Sequence, residues 1–251
     1  MNKTEAAKAR KAKNAYERER RRLHRLHRYE NAARAKGFRL IGGVDEAGRG
    51  PLAGPVVAAC VIAAEPLMLP GLNDSKQVTP ERRNELAVEI RKHAAAFGIG
   101  IASVAEIDRL NIYWASVLAM ERAIAACSGE APEYLFTDAV RLRAFSGPQE
   151  PLIKGDAICA VVSAASILAK VHRDGLLAEL DLEDPRYGFG IHKGYATPQH
   201  LAALKSYGPC VHHRSGWARV RDAQLELLFE GGPVAEASYE ILAQSDQGAR
   251  G

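Results

Sequence analysis

The chain has 251 residues, 47% hydrophobic and 25% charged, which suits one ordinary to large globular domain with some extension. No apolar run approaches the ~20 residues that span a bilayer, and the N-terminus is charged from Lys3 onward without an apolar signal core, so a cytoplasmic protein is expected. Cys60, Cys127, Cys159 and Cys210 form no C-x-x-C pair and read as small buried hydrophobes rather than as a zinc site or disulfide framework.

The net charge of +4 hides a split, because residues 1–37 carry 13 Lys and Arg against 4 Glu and the remainder is slightly acidic. That first segment lacks proline, holds one glycine (Gly37) and is rich in Ala, Lys, Arg and Glu, which predicts a helical extension frayed at its start. Tyr16, Leu23, Leu26, Tyr29 and Ala33 recur at helical spacing and give one narrow apolar stripe. Such an arm either grips phosphates non-specifically, with affinity lost steeply as salt rises, or simply presents a solvated charged face; the composition suits both.

The globular part, expected over residues 38–230, opens on an apolar run that delivers Gly42-Gly43-Val44-Asp45-Glu46-Ala47-Gly48-Arg49-Gly50-Pro51 and then the β-branched run 56–62. This reads as strand, turn, strand, with acidic and basic groups collected at the turn. Gly48 and Gly50 let the main chain approach a ligand, and Arg49 is a forked donor suited to phosphate. Gly48-x-Gly50-x-x-Ala53 matches the dinucleotide fingerprint formally, but Pro51, Pro55 and the Val/Ile run demand a strand where that motif needs a helix. No Gly-Lys-Ser/Thr ending makes it a P-loop.

A loop over 64–78 holds Asn73-Asp74-Ser75-Lys76, and Thr79-Pro80 opens a helix to His93, Thr as cap and Pro at the first helical position. A third strand is predicted over 97–104. Ser103 and Glu106 have capping-box spacing before a long helix ending near Cys127. Residues 134–137 form a short strand delivering Asp138, and residues 151–154 lead to Asp156, after which an Ala/Val-rich helix runs to about Leu180. Residues 187–190 read as a loop, Thr197-Pro198 starts a helix, another covers 218–229, and residues 231–251 are expected to be a flexible tail. Strands first clustered and then separated by helices, with a helical last third, predict an α/β fold with a mixed sheet covered by helices.

Asp45, Glu46, Asp138 and Asp156 each fall at a strand end or a helix start just after one, where ligands gather in such sheets. Oxygen-only side chains of this kind suit Mg²⁺ or a similar hard cation, and two such ions support phosphodiester cleavage by water. Neighbours on a regular strand point to opposite faces, so Asp45 and Glu46 share one site only if the strand breaks there. Asp174, on a continuous helix, would lie ~27 Å from Asp156 and reads as a structural partner for an arginine. Tyr187-Gly188-Phe189-Gly190-Ile191-His192-Lys193-Gly194-Tyr195 alternates glycine with aromatics beside a basic pair, suiting either stacking on a base or sugar or a packed glycine-rich loop. For His212-His213-Arg214, phosphate contact or surface exposure is expected ahead of metal ligation.

Assembled, these residues resemble the ribonuclease HII (type 2 ribonuclease H) family. The resemblance rests on the run Gly43 to Val56, on Asn73-Asp74-Ser75-Lys76, Lys154-Gly155-Asp156, Ala164-Ala165-Ser166-Ile167-Leu168-Ala169-Lys170-Val171 with Arg173-Asp174, His192-Lys193-Gly194-Tyr195 with Thr197 and His200, and His212-His213-Arg214. It covers residues 38–220 in order and leaves out the first 37 and the tail. It implies an RNase H-like fold, cleavage of the RNA strand of RNA–DNA hybrids, and incision 5′ to ribonucleotides embedded in duplex DNA, leaving 3′-hydroxyl and 5′-phosphate ends. By the resemblance Asp45, Glu46, Asp138 and Asp156 bind Mn²⁺ or Mg²⁺ and are catalytic. Gly48, Arg49 and Gly50 sense the ribose 2′-hydroxyl, Lys76 binds substrate, and Tyr195 stacks on the sugar at the RNA–DNA junction, in a monomer that works away from membranes. The family's third acid is usually followed by glycine, whereas Ala139-Val140 follow Asp138 here; Ser215-Gly216-Trp217 replaces a usual Ser-Phe ending. A hybrid-binding module without catalysis, or another nuclease or integrase of the same fold class, is the rival reading.

Overall fold

The computed structural model describes residues 3–129 and 131–229; the tail expected at 231–251 lies outside them. In chain order, α1 (Lys3–Leu26) and α2 (Arg28–Ala35) precede β1 (Ile41–Ala47) and β2 (Val56–Ala63), then a 3-10 turn at Ser75–Gln77, α3 (Pro80–His93) and β3 (Ala96–Ala102). Next come α4 (Val104–Leu110), α5 (Ile112–Ala125), β4 (Tyr134–Asp138), β5 (Gln149–Leu152), α6 (Gly155–Ile158) and α7 (Ala160–Glu183). Three further helices follow: α8 (Phe189–His192), α9 (Pro198–Tyr207) and α10 (Ala218–Phe229). Packing divides the chain into one unit of Met1–Arg49, Val56–Ala102 and Ile112–Arg173, and a second of Gly50–Pro55, Ser103–Asn111 and Asp174–Gly251.

The first unit is built on a mixed sheet in the order β3-β2-β1-β4-β5. β1–β2 and β2–β3 are antiparallel, β1–β4 and β4–β5 parallel. β2 is buried along its whole length because helices cover both faces, which is why it reads as an unbroken apolar run. α5 packs across β1, β2 and β3 on one side. On the other, Val161, Ala164, Ala165 and Leu168 of α7 join Ile41, Ala59, Val61, Leu86 and Ile90 in the core. At Gly43 a Cβ atom would stand 2.3 Å from the Val161 carbonyl carbon, so glycine is what lets α7 come this close to the strand.

The N-terminal segment forms α1 and α2, and its second half is not an appendage. Leu23, Leu26 and Ala33 of the predicted stripe are buried in this core and Tyr29 packs against it, while Tyr16 is exposed. Two predicted helices are interrupted. Asn111, at φ 70°, separates α4 from α5, and Cys159, extended, separates α6 from α7, so the axial distance assumed between Asp156 and Asp174 does not apply. Both predicted caps are present: Thr79 accepts from the Arg82 N–H, and Ser103 with Glu106 closes a full capping box.

In the second unit, Tyr187 and Phe189 stack at 5.3 Å and are buried with Ala53, Leu177 and Ala203, so the packed-loop reading holds for both and neither is available to a base. The His212-His213-Arg214 expectation is corrected as well: His213 and Arg214 are buried. Arg214 donates from Nε and Nη2 to the Gly54 carbonyl at 3.0 and 2.8 Å, and its guanidinium lies 5.0 Å from the centre of the Trp217 ring. The departure at Trp217 thus supplies a cation–π platform for a buried arginine. Asp174 belongs to this unit, and its carbonyl accepts from Lys193 Nζ at 3.4 Å.

Candidate active site

The predicted acids come together in the first unit. The parallel register pairs Val44 with Thr137, so the next residue on each strand is an aspartate, Asp45 on β1 and Asp138 on β4. β1 stays paired with β2 through Ala47, so the break expected at the Asp-Glu pair does not occur. Glu46 is nonetheless the strongest charge acting on Asp45, and Asp138 acts on both, so the neighbouring acids sit in one field although the strand does not break between them.

Asp156 arrives from the far end of β5. Lys154 takes a left-handed conformation (φ 59°) that turns the chain into α6, and the Gly155 N–H donates to Asp138 Oδ1 at 2.8 Å. Ser163 Oγ donates to the Asp156 carbonyl and fixes the turn. Ala139 stands at φ 54°, a conformation that explains the family's usual glycine after the third acid and that alanine adopts only at a cost.

Each acid has its own support. Asp45 is buried, accepts from the Glu46 N–H at 2.8 Å and from Ser166, and Ser166 Oγ is 2.9 Å from Ser75 Oγ. Glu46 Oε1 accepts from Arg49 Nη1 at 3.2 Å, while Glu46 Oε2 is buried with no hydrogen-bond partner. Lys76 Nζ lies 3.6 Å from Asp156 Oδ2, with the lysine side chain 77% exposed, and the Asp74 carboxylate holds the Lys76 N–H at 2.9 Å.

Burial and mutual repulsion push the Asp45, Glu46 and Asp156 carboxyls up. For Asp45 burial dominates, followed by Glu46, Asp138 and Asp156, with the Ser166 hydrogen bond opposing. Burial also raises Glu46, against the pull of Arg49, and raises Asp156, where Asp74 and Asp138 add and Lys76 subtracts. Lys76 is raised in return: burial works against its charge, but Asp74, Asp156, Asp45 and Asp138 outweigh it.

Among the described residues no three His, Cys, Asp or Glu side chains form a finished metal-ligand set. The donor chemistry nevertheless fits a hard divalent cation: the cluster offers carboxylate oxygens only, they disfavour one another's charge, and one buried oxygen, Glu46 Oε2, is unsatisfied.

Gly50 and Tyr195 belong to the second unit. A Cβ on Gly50 would meet only the Tyr195 ring, at 3.8 Å, and Tyr195 is 44% exposed. Its backbone is fixed by the Leu52 N–H donating to the Gly194 carbonyl at 2.8 Å and by His200 Nδ1 at 2.9 Å from the Tyr195 carbonyl. Gly194 has φ 80°, and a Cβ there would stand 2.5 Å from the Ala53 carbonyl oxygen.

Sequence reasoning gave no role to Ser75, Ser166, Asp74 or Glu30. The visible signal for Ser163 and Ser166 is two hydroxyls three apart in the otherwise apolar first turns of a helix, before Lys170.

A family model described as Ribonuclease HII matches residues 42–220. Ribonuclease HII of Geobacillus thermodenitrificans is 52% identical over 78% of this chain and 74% of its own length. The crystal structure of ribonuclease H2 from Pyrococcus horikoshii superposes with a TM-score of 0.66 at 25% identity, covering 76% of this chain and 99% of that one. Bst-RNase HIII in complex with Mn²⁺ shares the fold, with a TM-score of 0.60 at 18% identity over 81% of this chain and 72% of that one.

Proposed function

Because this chain belongs to the ribonuclease HII family and is a ribonuclease H, a hydrolase, we propose that it hydrolyses the RNA strand of RNA–DNA hybrids and incises 5′ to single ribonucleotides in duplex DNA, leaving 3′-hydroxyl and 5′-phosphate ends. Asp45, Glu46, Asp138 and Asp156 hold Mg²⁺ or Mn²⁺. When bound, the divalent ions activate water and stabilise the leaving oxygen of the phosphodiester. The single observation that carries this reading is the charge crowding around Asp45, which lies buried within the field of Glu46, Asp138 and Asp156.

The chain's own residues do the positioning. Ser166 and the Glu46 N–H orient the Asp45 carboxylate. Lys76, largely exposed beside Asp156, offers a cation to a substrate phosphate. Arg49, its guanidinium anchored to Glu46, fixes the turn whose glycine backbone groups meet the ribose 2′-hydroxyl, the group that distinguishes RNA from DNA. Tyr195 presents its ring to the sugar at the junction. We read residues 38–230 as the catalytic part of a monomer, and four cysteines without a disulfide suit a reducing cytoplasm.

The test is incision of a DNA duplex carrying one ribonucleotide, with Mg²⁺, Mn²⁺ or chelator, for wild type and Asp45→Asn. Metal-dependent cutting 5′ to the ribonucleotide that disappears in the variant is expected. Binding without cutting under every condition would leave a hybrid-binding module instead. Equal cutting of all-DNA duplex would remove the roles given to Arg49 and Tyr195.

A further inference from the structure

The N-terminal helices fall outside the part of the chain that matches the family, yet they are pinned to the first unit at several points. Glu19 Oε1 accepts from the Gly71 N–H at 2.8 Å while its carboxylate grips Arg22 through both oxygens, and these contacts, Arg22 first, draw its carboxyl down to about 2. Glu30 Oε1 accepts from the Val161 N–H at 2.9 Å, and Arg34 donates to the Arg39 and Ala63 carbonyls. α1 lies against α6, the single turn that carries Asp156.

Between them is a cleft of about 250 Å³ with Arg22, Arg25 and Arg28 on one side and Asn73, Ala157 and Ile158 on the other. Ala157 directly follows Asp156, and Asn73 lies three residues before Lys76. Arg25 and Arg28 are exposed, and the Arg28 guanidinium is held 4.6 Å from the Tyr29 ring centre with Nη2 donating to the Tyr29 hydroxyl at 3.0 Å. Guanidinium groups gathered at one cleft beside the acid cluster, with Arg22 held by Glu19 and Arg28 by Tyr29, suit a phosphate clamp better than a loose basic tail does.

We propose that this cleft is a second phosphate-binding site, taking backbone phosphates of the duplex beyond the position being cut, with α1 as a rigid rail along the nucleic acid. The inference rests on the reading of the acid cluster as the cleavage site. Held on docked helices, Arg25 on α1 and Arg28 at the start of α2, the two contact the substrate at a set distance from the scissile bond. Their contribution therefore depends on how far the duplex extends on that side, unlike that of a flexible tail, which would reach any stretch of backbone.

The experiment compares full-length wild type, Arg25→Ala/Arg28→Ala and a control of equal charge loss on α3, Arg91→Ala/Lys92→Ala, with Mg²⁺ and ribonucleotide-containing duplexes. KM is followed from 50 to 200 mM salt, and the duplex is then shortened from either end. The clamp predicts that the double variant raises KM, leaves kcat unchanged and lowers the log–log salt slope by about 1.8, near 0.9 for each phosphate that is no longer neutralised. Wild type and variant should converge when the duplex is cut back from one end only. An unchanged slope, an equal change in the control, or convergence from both ends alike would overturn the clamp. Should wild type bind but never cut, the cleavage reading fails, and the same comparison made on Kd decides the clamp separately.

Discussion

Glu30, in a helix outside the family match, accepts a hydrogen bond at 2.9 Å from the N–H of Val161, in the first turn of the helix packed against β1. The carboxylate is buried, and burial pushes it upward despite the opposing backbone donors and His27. Glu30→Ala leaves a buried N–H unsatisfied and should cost about 1–3 kcal/mol in urea unfolding, whereas Glu30→Gln keeps the acceptor and should cost clearly less. Equal losses would show that the hydrogen bond is not what the side chain contributes. For the same reason, deleting residues 1–37 would strip the core of Leu23, Leu26 and Ala33 along with the charge, so surface substitutions are the cleaner probe of the arm.

Asp45→Asn should abolish cleavage and also stabilise the metal-free protein. It removes a buried charge from a cluster in which Glu46, Asp138 and Asp156 oppose it. A gain of about 1 kcal/mol, or 2–4 °C in Tm, is expected in chelator. Adding Mn²⁺ should raise the wild-type Tm by about 2–4 °C for each kcal/mol of binding free energy and raise that of the variant much less. A wild-type Tm indifferent to Mn²⁺ would count against the four acids as the metal site.

Acid should weaken the second unit through His213 and His200. Cys210 N–H donates to His213 Nδ1 at 3.0 Å, His213 Nε2 lies 3.0 Å from His200 Nε2, and His200 Nδ1 reaches the Tyr195 carbonyl. The chain is satisfied with both rings neutral, His213 donating to His200 and His200 to Tyr195. Burial, then His200, pushes His213 down to about 3, and burial also lowers His200, which stacks on His192 at 4.3 Å. Because the unfolded rings titrate near 6.5, the unfolded state binds more protons between about pH 6.5 and 3, and stability falls as pH drops through that window. The stability difference between wild type and His213→Gln should shrink by about 1–2 kcal/mol from pH 7 to pH 5. A constant difference would mean that His213 takes up a proton in the fold as readily as in the unfolded chain.

Ala139→Gly should stabilise the turn after Asp138. Alanine at φ 54° carries a left-handed cost of about 1–2 kcal/mol, partly offset by the freedom glycine adds to the unfolded chain. A net gain of about 0.5–1 kcal/mol is expected in denaturant unfolding, with cleavage retained. Destabilisation would show that the Ala139 methyl packs productively.

Much of the architecture is legible in the sequence because it is local. The β-branched run after Pro55 needs burial on both faces, the Thr79-Pro80 and Ser103–Glu106 signals cap their helices by contacts within four residues, and a strand ending in Asp138 and a short helix just after β5 carrying Asp156 bring acids together at one end of the sheet. What could not be read depends on partners far along the chain. Tyr187 and Phe189 suit a stacking platform as well as a packed loop until Ala53 and Ala203 cover them, and Arg214 looks exposed until Gly54 supplies its acceptor. The docking of Leu23 and Leu26, likewise, depends on core residues contributed by later strands and helices. The interruptions at Asn111 and Cys159 were hidden for another reason: each is a single residue changing its backbone angles inside a sequence that otherwise favours helix.

The bond between Arg214 and Gly54 also sets an order of events during synthesis. The two residues are 160 positions apart, so at ~5–20 residues per second a ribosome needs roughly 8–30 s after making the glycine turn to supply the arginine that braces its carbonyl. For that interval the turn between β1 and β2 exists without its brace. The last third of the chain therefore finishes a turn laid down in the first quarter, and a nascent chain cannot complete it before most of its length has been translated.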